Sequence, residues 1–178
     1  MMDKQIVTCK CGHVKLQVDG SHIASVECLC DSCRKAGKTL SSLPGAGDIL
    51  DGKGATRMVM HRKDRVQFLS GKELLREYRL SPEAATRRVV ATCCNTAVFL
   101  DVKGGHWFSL YARLWPEGTL PPLELRTMVG DLDDPSVVPE DVPNLKTHSL
   151  GFYWRLVSAW ACMGFRTPKV IVEGVLDV

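Results

Sequence analysis

Cysteine placement constrains this chain more than any other feature. Seven of its eight cysteines fall in three tight clusters: Cys9 and Cys11, then Cys28, Cys30 and Cys33, then Cys93 and Cys94. A disulfide scaffold spreads its cysteines, because a bridge between near neighbours closes a small, strained loop. Clustered thiols suit metal chelation, where short spacing places several sulfurs around one ion. Met1 to Asp19 contains Asp3, Lys4, Lys10 and Lys15 and has no apolar run of secretory type. The expectation is therefore a cytoplasmic protein with reduced thiols, a setting in which metal sites are commoner than disulfides.

The 178 residues are one domain's worth of chain, with or without an appendage. A hydrophobic fraction of 45% and a charged fraction of 24% exclude a disordered chain. The net charge of +3 is too small to argue for nucleic acid. The longest apolar stretch, Leu150 to Phe165, carries Arg155 and is too short to span a bilayer.

Residues 5–33 read as two short strands and a metal knuckle. Val14 to Val18 alternates apolar and polar side chains, the period of a half-buried strand, and Ile23 to Cys28 is a second candidate. Five glycines between 37 and 54 predict loop across 37–56. Further strands are expected at Met58–Met60, Val66–Leu69, Glu77–Leu80, Val89–Ala91, Ala97–Leu100 and Trp107–Tyr111. The fold class is thus mainly β and antiparallel, with a C-terminal helix, α+β overall. The predicted division is a zinc-binding β domain over 5–111, with 112–178 packed on it. That second part holds six of the nine prolines, between 116 and 143, then a helix over 150–165 and a short strand at Val170–Val172. Residues 1–100 carry 16 basic and 10 acidic side chains, a balance of +6, whereas 101–178 carry 7 and 10, a balance of −3. The tail either lies on a basic face or is simply solvated. The helix is apolar on most sides, which suits core packing or a homodimer contact, with an interfacial membrane helix as the sharper alternative.

Cys28, Cys30 and Cys33 form a C-x-C-x-x-C run that can cap one face of an ion from a single loop. With no fourth thiol in the run, the site is either open to a small ligand, and so reactive, or closed by a distant residue such as a histidine. Cys9 and Cys11 supply two ligands and need a partner, for which Cys93 and Cys94 are the candidates. Adjacent strand residues point to opposite faces. Both Cys93 and Cys94 reach one ion only if the backbone bends there; if Cys94 alone binds, Cys93, His13 or water is left to complete the set. Cys162 reads as a small core residue. His22, His61 and His148 read as surface or packing residues, and His106 as a residue that can face a pocket. No nucleophile elbow, phosphate loop or H-E-x-x-H motif is present.

C-x-C-G near the start, C-x-C-x-x-C about twenty residues on, and a late cysteine pair followed by Thr96 together resemble the glutathione-dependent formaldehyde-activating family, which includes centromere protein V. The resemblance covers roughly residues 5–102. It implies an antiparallel β-tent with two zinc ions. One is structural, on Cys9, Cys11 and Cys94; the other sits on Cys28, Cys30 and Cys33. It also implies carbon–sulfur lyase chemistry, joining glutathione to formaldehyde. The late pair departs from the family's C-x-x-C-G-T: Ala91 stands where the first cysteine belongs, Cys93 must substitute, and Asn95 replaces the glycine. The expected function is therefore a zinc-dependent enzyme joining a small thiol such as glutathione to a small carbonyl. Cys28, Cys30 and Cys33 are its reactive centre, and Arg34, Lys35 and Lys38 receive the thiol's carboxylates. Two alternatives stand beside it. One is a non-catalytic zinc module that uses Lys53, Arg57, His61, Arg62, Lys63 and Arg65 to meet a partner. The other is a redox sensor built on Cys93 and Cys94.

Overall fold

Two-residue alternation governs most of this chain and builds strands wherever it persists. The computed structural model describes residues 4–178. Ten strands appear in order: β1 (Lys4–Thr8), β2 (Lys15–Asp19), β3 (Ala24–Cys28), β4 (Thr56–Arg62), β5 (Val66–Ser70), β6 (Leu75–Tyr78), β7 (Thr86–Ala91), β8 (Thr96–Val102), β9 (Trp107–Tyr111) and β10 (Leu125–Thr127). Two α-helices accompany them, α1 (Asp31–Ser41) and α2 (Leu150–Cys162). The strands form a three-stranded sheet in the order β1-β2-β5 and a seven-stranded sheet in the order β10-β3-β4-β9-β8-β7-β6. All pairings are antiparallel except β10 with β3. The mainly β, antiparallel class with a C-terminal helix is as expected.

Alternation along the large sheet divides the core in two. One set of side chains, including Val59, Val89, Phe99 and Leu110, packs with Val7, Leu16 and Val18 of the small sheet. The opposite set, including Met58, Met60, Val90, Leu100 and Tyr111, packs with Leu40 of α1 and with Phe152 and Leu156 of α2. The large sheet is therefore the middle layer, and both cysteine-rich turns lie at its margins.

Several expectations are corrected. The N-terminal region holds three strands rather than two. The predicted 37–56 loop is loop over most of its length, but residues 37–41 are helix: α1 buries Cys33, Ala36, Gly37 and Leu40, the i, i+3, i+4, i+7 stripe of an amphipathic helix. Gly37 is there for close packing rather than for a turn, since a Cβ would lie 2.4 Å from Leu50 Cδ2. Strand β10 emerges from the proline-rich segment. Val170–Val172 is not a strand; the nearby ladder contact is a bridge between Glu77 and Val175. Cys162 is exposed rather than in the core.

Helix α2 starts at Ser149, whose Oγ accepts the Phe152 N–H at 3.1 Å. It buries Phe152, Leu156 and Ala159 and leaves Leu150, Tyr153, Trp154 and Val157 exposed. No helix among the described residues is long and apolar enough to cross a membrane.

Candidate metal centres

The first centre joins two tight turns. Between β1 and β2 the Gly12 N–H donates to Cys9 O at 2.9 Å, and Gly12 takes a left-handed φ of +78°. Between β7 and β8 the chain turns through 92–95, with Asn95 at a φ of +53°. Cys93 and Cys94 therefore lie in a turn, not a strand, and the rule that neighbours face opposite sides does not apply to them. The sulfurs of Cys9, Cys11, Cys93 and Cys94 all lie within 4.8 Å of one another. Their separations are 3.6 Å for Cys9–Cys11, 3.8 Å for Cys9–Cys93, 3.3 Å for Cys11–Cys93 and 3.9 Å for Cys93–Cys94. Zn–S bonds of about 2.3 Å in a tetrahedron imply S···S edges of about 3.8 Å, so the donor set fits zinc. Four sulfurs fill such a site.

Surrounding donors support anionic sulfur. The Val14 N–H donates to Cys9 Sγ at 3.3 Å, and His13 Nδ1 stands 3.1 Å from Cys11 Sγ. The His13 N–H and ring draw the Cys11 thiol down to about 6, whereas burial pushes Cys9 and Cys93 up. His13 thus sits beside a ligand sulfur, outside the four-sulfur set. Thr96 Oγ1 accepts the Lys10 N–H at 3.2 Å and lies 3.0 Å from Cys94 Sγ, linking the two turns directly.

The second centre lies where β3 passes into α1. Cys28 ends the strand, Cys30 caps the helix and Cys33 is buried in its first turn. These three sulfurs also lie within 4.8 Å of one another, and no fourth His, Cys, Asp or Glu among the described residues joins the group. The Cys33 N–H donates to Cys30 Sγ at 3.4 Å, and the N-terminal end of a helix favours a thiolate. Hydrogen bonds from Cys28 and Cys33 hold Cys30 far below the usual thiol range. The bond to Cys30 raises Cys28, to about 11, and bonds to Cys28 and Cys30 raise Cys33. Without metal the triplet is one thiolate clasped by two thiols.

Backbone from a distant segment braces this turn. Leu29 N–H donates to Thr127 O at 3.1 Å, and Asp31 N–H to Asp131 Oδ2 at 3.2 Å. Arg126 on β10, itself buried, binds Glu27 at 2.6 Å and Asp141 at 2.6 Å and so fastens the acidic segment to β3.

Two residues at the triplet are absent from the sequence reading. Arg88, on β7, is fully buried. Its Nη2 donates to Ser32 Oγ at 3.2 Å, and Ser32 Oγ lies 3.4 Å from Cys30 Sγ. Tyr111, on β9, bonds with Arg88, and burial raises its hydroxyl well above the usual range. The signal was faint: Arg88 occupies an inward position of a strand whose alternate residue, Val90, is core. His148 stacks on Phe152 at 4.7 Å, and burial lowers it despite the opposing charge of Cys30.

Of the cations expected to receive carboxylates, Lys35 and Lys38 are exposed on the side of α1 away from Cys33. Arg34 Nη1 donates to Asp131 O at 3.0 Å and stands 3.4 Å from Asp31. The basic stretch of 53–65 is largely committed within the fold. Lys53 pairs with Asp51, Arg62 with Asp64 and buried Lys63 with Asp101. Arg57 donates to Pro121 O at 2.8 Å, and His61 is buried against Trp115. A cavity of about 250 Å³ reaches from Tyr111 to Thr96 and is lined also by Arg57 and Arg113. A larger one, about 580 Å³, lies elsewhere, between the β7–β8 ladder and residues 167–172. His106 stacks on Trp160 at 5.7 Å and packs on Trp107 at 4.9 Å.

No protein-family model matches the chain, and no curated protein matches it. Among solved structures, the crystal structure of a Rhodobacter sphaeroides protein from structural genomics aligns at a TM-score of 0.46 and 14% identity, covering 78% of this chain and 98% of that one. So loose a superposition carries no weight for function, which rests on the chain's own side chains.

Proposed function

We propose that this protein is a zinc-dependent enzyme of carbon–sulfur lyase type, joining a small thiol such as glutathione to formaldehyde or another small carbonyl. The inequality of the two sulfur groups carries this reading. Cys9, Cys11, Cys93 and Cys94 offer four donors, a closed structural set, whereas Cys28, Cys30 and Cys33 offer three. Zinc on the triplet would supply one thing: it would keep a bound thiol ionised near neutral pH.

The remaining work falls to the chain. Cys28, Cys30 and Cys33 would hold the ion from the turn at the start of α1. Tyr111, its hydroxyl kept protonated by burial, is a donor at the sulfur group for the carbonyl oxygen. The incoming thiol gives up its proton, its sulfur forms the S–C bond as the C=O π bond opens, and the oxygen takes up a proton. The product is a hemithioacetal, and no group leaves. Holding thiolate and carbonyl together supplies most of the gain. Arg34, one residue past Cys33, is the proposed contact for an acidic thiol's carboxylate; Lys35 and Lys38, on the far side of α1, are not.

A second reading has one observation in its favour. His148 stacks on Phe152, which packs in the same core cluster as Cys33, so a histidine that closes the triplet would make the protein a non-catalytic zinc module. Cobalt-substituted protein titrated with glutathione separates the two. A new sulfur-to-cobalt band, with hemithioacetal formation above the uncatalysed rate and lost in Cys30→Ser, supports the enzyme. An unchanged spectrum that becomes thiol-responsive in His148→Ala supports the module.

A further inference from the structure

Arg88 is a cation at an improbable address. Its neighbours on the inward face of the large sheet are Val90 and Leu100, and it is 0% exposed. A buried charge costs several kcal/mol unless it is paired. Its neighbour on β7, Arg87, obeys that rule, pairing with Glu77 at 3.0 Å and Asp101 at 2.9 Å. Arg88 is in none of the carboxylate ion pairs among the described residues. Its partners are neutral oxygens, Ser32 Oγ at 3.2 Å, Thr86 Oγ1 at 3.4 Å and the Tyr111 hydroxyl. Its Nε has no partner at all.

The anions on this side of the sheet are the sulfurs. Ser32 bridges the guanidinium to Cys30 Sγ, and Tyr111 shares a core cluster with Cys33, with Cys28 and Cys30 packed against it. Three thiolates on a divalent ion leave the site with one negative charge, which a single buried guanidinium cancels.

We propose that Arg88 is the built-in counter-cation of the Cys28–Cys30–Cys33 metal centre, a positioning residue that sets how tightly this centre holds zinc without being a ligand. The inference rests on the reading of the triplet as a zinc site. It further specifies that site: the guanidinium offsets the negative charge of the three sulfurs, so the centre tolerates an anionic fourth ligand such as a thiolate.

The test counts zinc per chain and measures zinc affinity by competition with a chromophoric chelator in wild type, Arg88→Met and Arg88→Lys. Partners in the outer sphere of a metal are worth about 10–100-fold in affinity. Arg88→Met is expected to keep one tightly held zinc, on Cys9, Cys11, Cys93 and Cys94, and to weaken the other by that factor. Arg88→Lys is expected to recover most of it. Should Arg88→Met fail to fold by circular dichroism, Arg88→Lys and Cys30→Ser decide. Near-wild-type affinity in Arg88→Lys supports the inference, and a loss as deep as that of Cys30→Ser overturns it. Two zincs held equally well in wild type and Arg88→Met overturn the inference alone. A single zinc in the wild type overturns the zinc reading of the triplet as well.

Discussion

Removing metal from the four-sulfur centre should cost much more stability than removing it from the triplet, and the difference follows from chain length. An ion on Cys9, Cys11, Cys93 and Cys94 is a cross-link between turns 84 residues apart, counted from Cys9 to Cys93. Treated as a covalent closure, a loop of that length restricts the unfolded chain by about 4–5 kcal/mol. The triplet closes only a loop with its ends five positions apart, Cys28 to Cys33, for about 2 kcal/mol by the same relation. For a chain of this size each kcal/mol moves Tm by roughly 2–4 °C, so the expected losses are about 8–20 °C and about 4–8 °C. Cys11→Ser is the cleaner perturbation, because Cys11 is exposed and serine there removes no packing. Differential scanning calorimetry on wild type, Cys11→Ser and Cys28→Ser, with zinc counted in each, gives the comparison. If each variant loses one ion and Cys28→Ser falls as far as Cys11→Ser, the cross-link argument is wrong. An unmoved Tm in a Cys11→Ser protein that has lost its zinc would refute it outright.

Other expectations are as direct. Burial holds His61 near 4 against an ordinary 6.5, so the unfolded chain takes up its proton first as pH falls. Stability is then full above about pH 6.5 and drops by about 3 kcal/mol toward pH 4, and urea unfolding of His61→Phe should lose that acid limb. Zinc binding to the triplet at pH 7.5 must displace the protons of Cys28 and Cys33, whose thiols are raised. Calorimetry in buffers of different ionisation enthalpy should show about two protons released per ion at that centre, and none would contradict the protonation pattern. Asp101→Asn leaves buried Lys63 without the carboxylate 2.8 Å away, so denaturant melts should show a loss of about 3–5 kcal/mol, with a loss under 1 kcal/mol counting against that pair.

What could be read in advance followed from periodicity, and what could not depended on contacts distant in sequence. Strands β4, β7, β8 and β9 carry apolar alternation or runs that declare themselves. Helix α1 has a legible stripe in Cys33, Ala36, Gly37 and Leu40, hidden because Gly37 counts as a breaker until Leu50 is seen packed against it. The four-sulfur grouping is legible as candidates, Cys9, Cys11, Cys93 and Cys94; the letters leave open whether the backbone bends enough for Cys93 to join Cys94, and only the left-handed Asn95 marks that turn. Arg87 and Arg88 are indistinguishable as letters. Strand pairing sends one to carboxylates and the other to Ser32, beside the sulfurs. Strand β10 is three residues in a proline-rich stretch, too short for any period to show.

The brace of the triplet by Thr127 and Asp131 has a temporal consequence. Asp131 lies 100 residues beyond Asp31, whose N–H it receives. A ribosome adding 5–20 residues per second needs roughly 5–20 s to supply it. Throughout that interval the nascent chain has three thiols in the open and no finished cradle for them, so oxidants and scavenging metals compete at this centre before its own architecture can defend it.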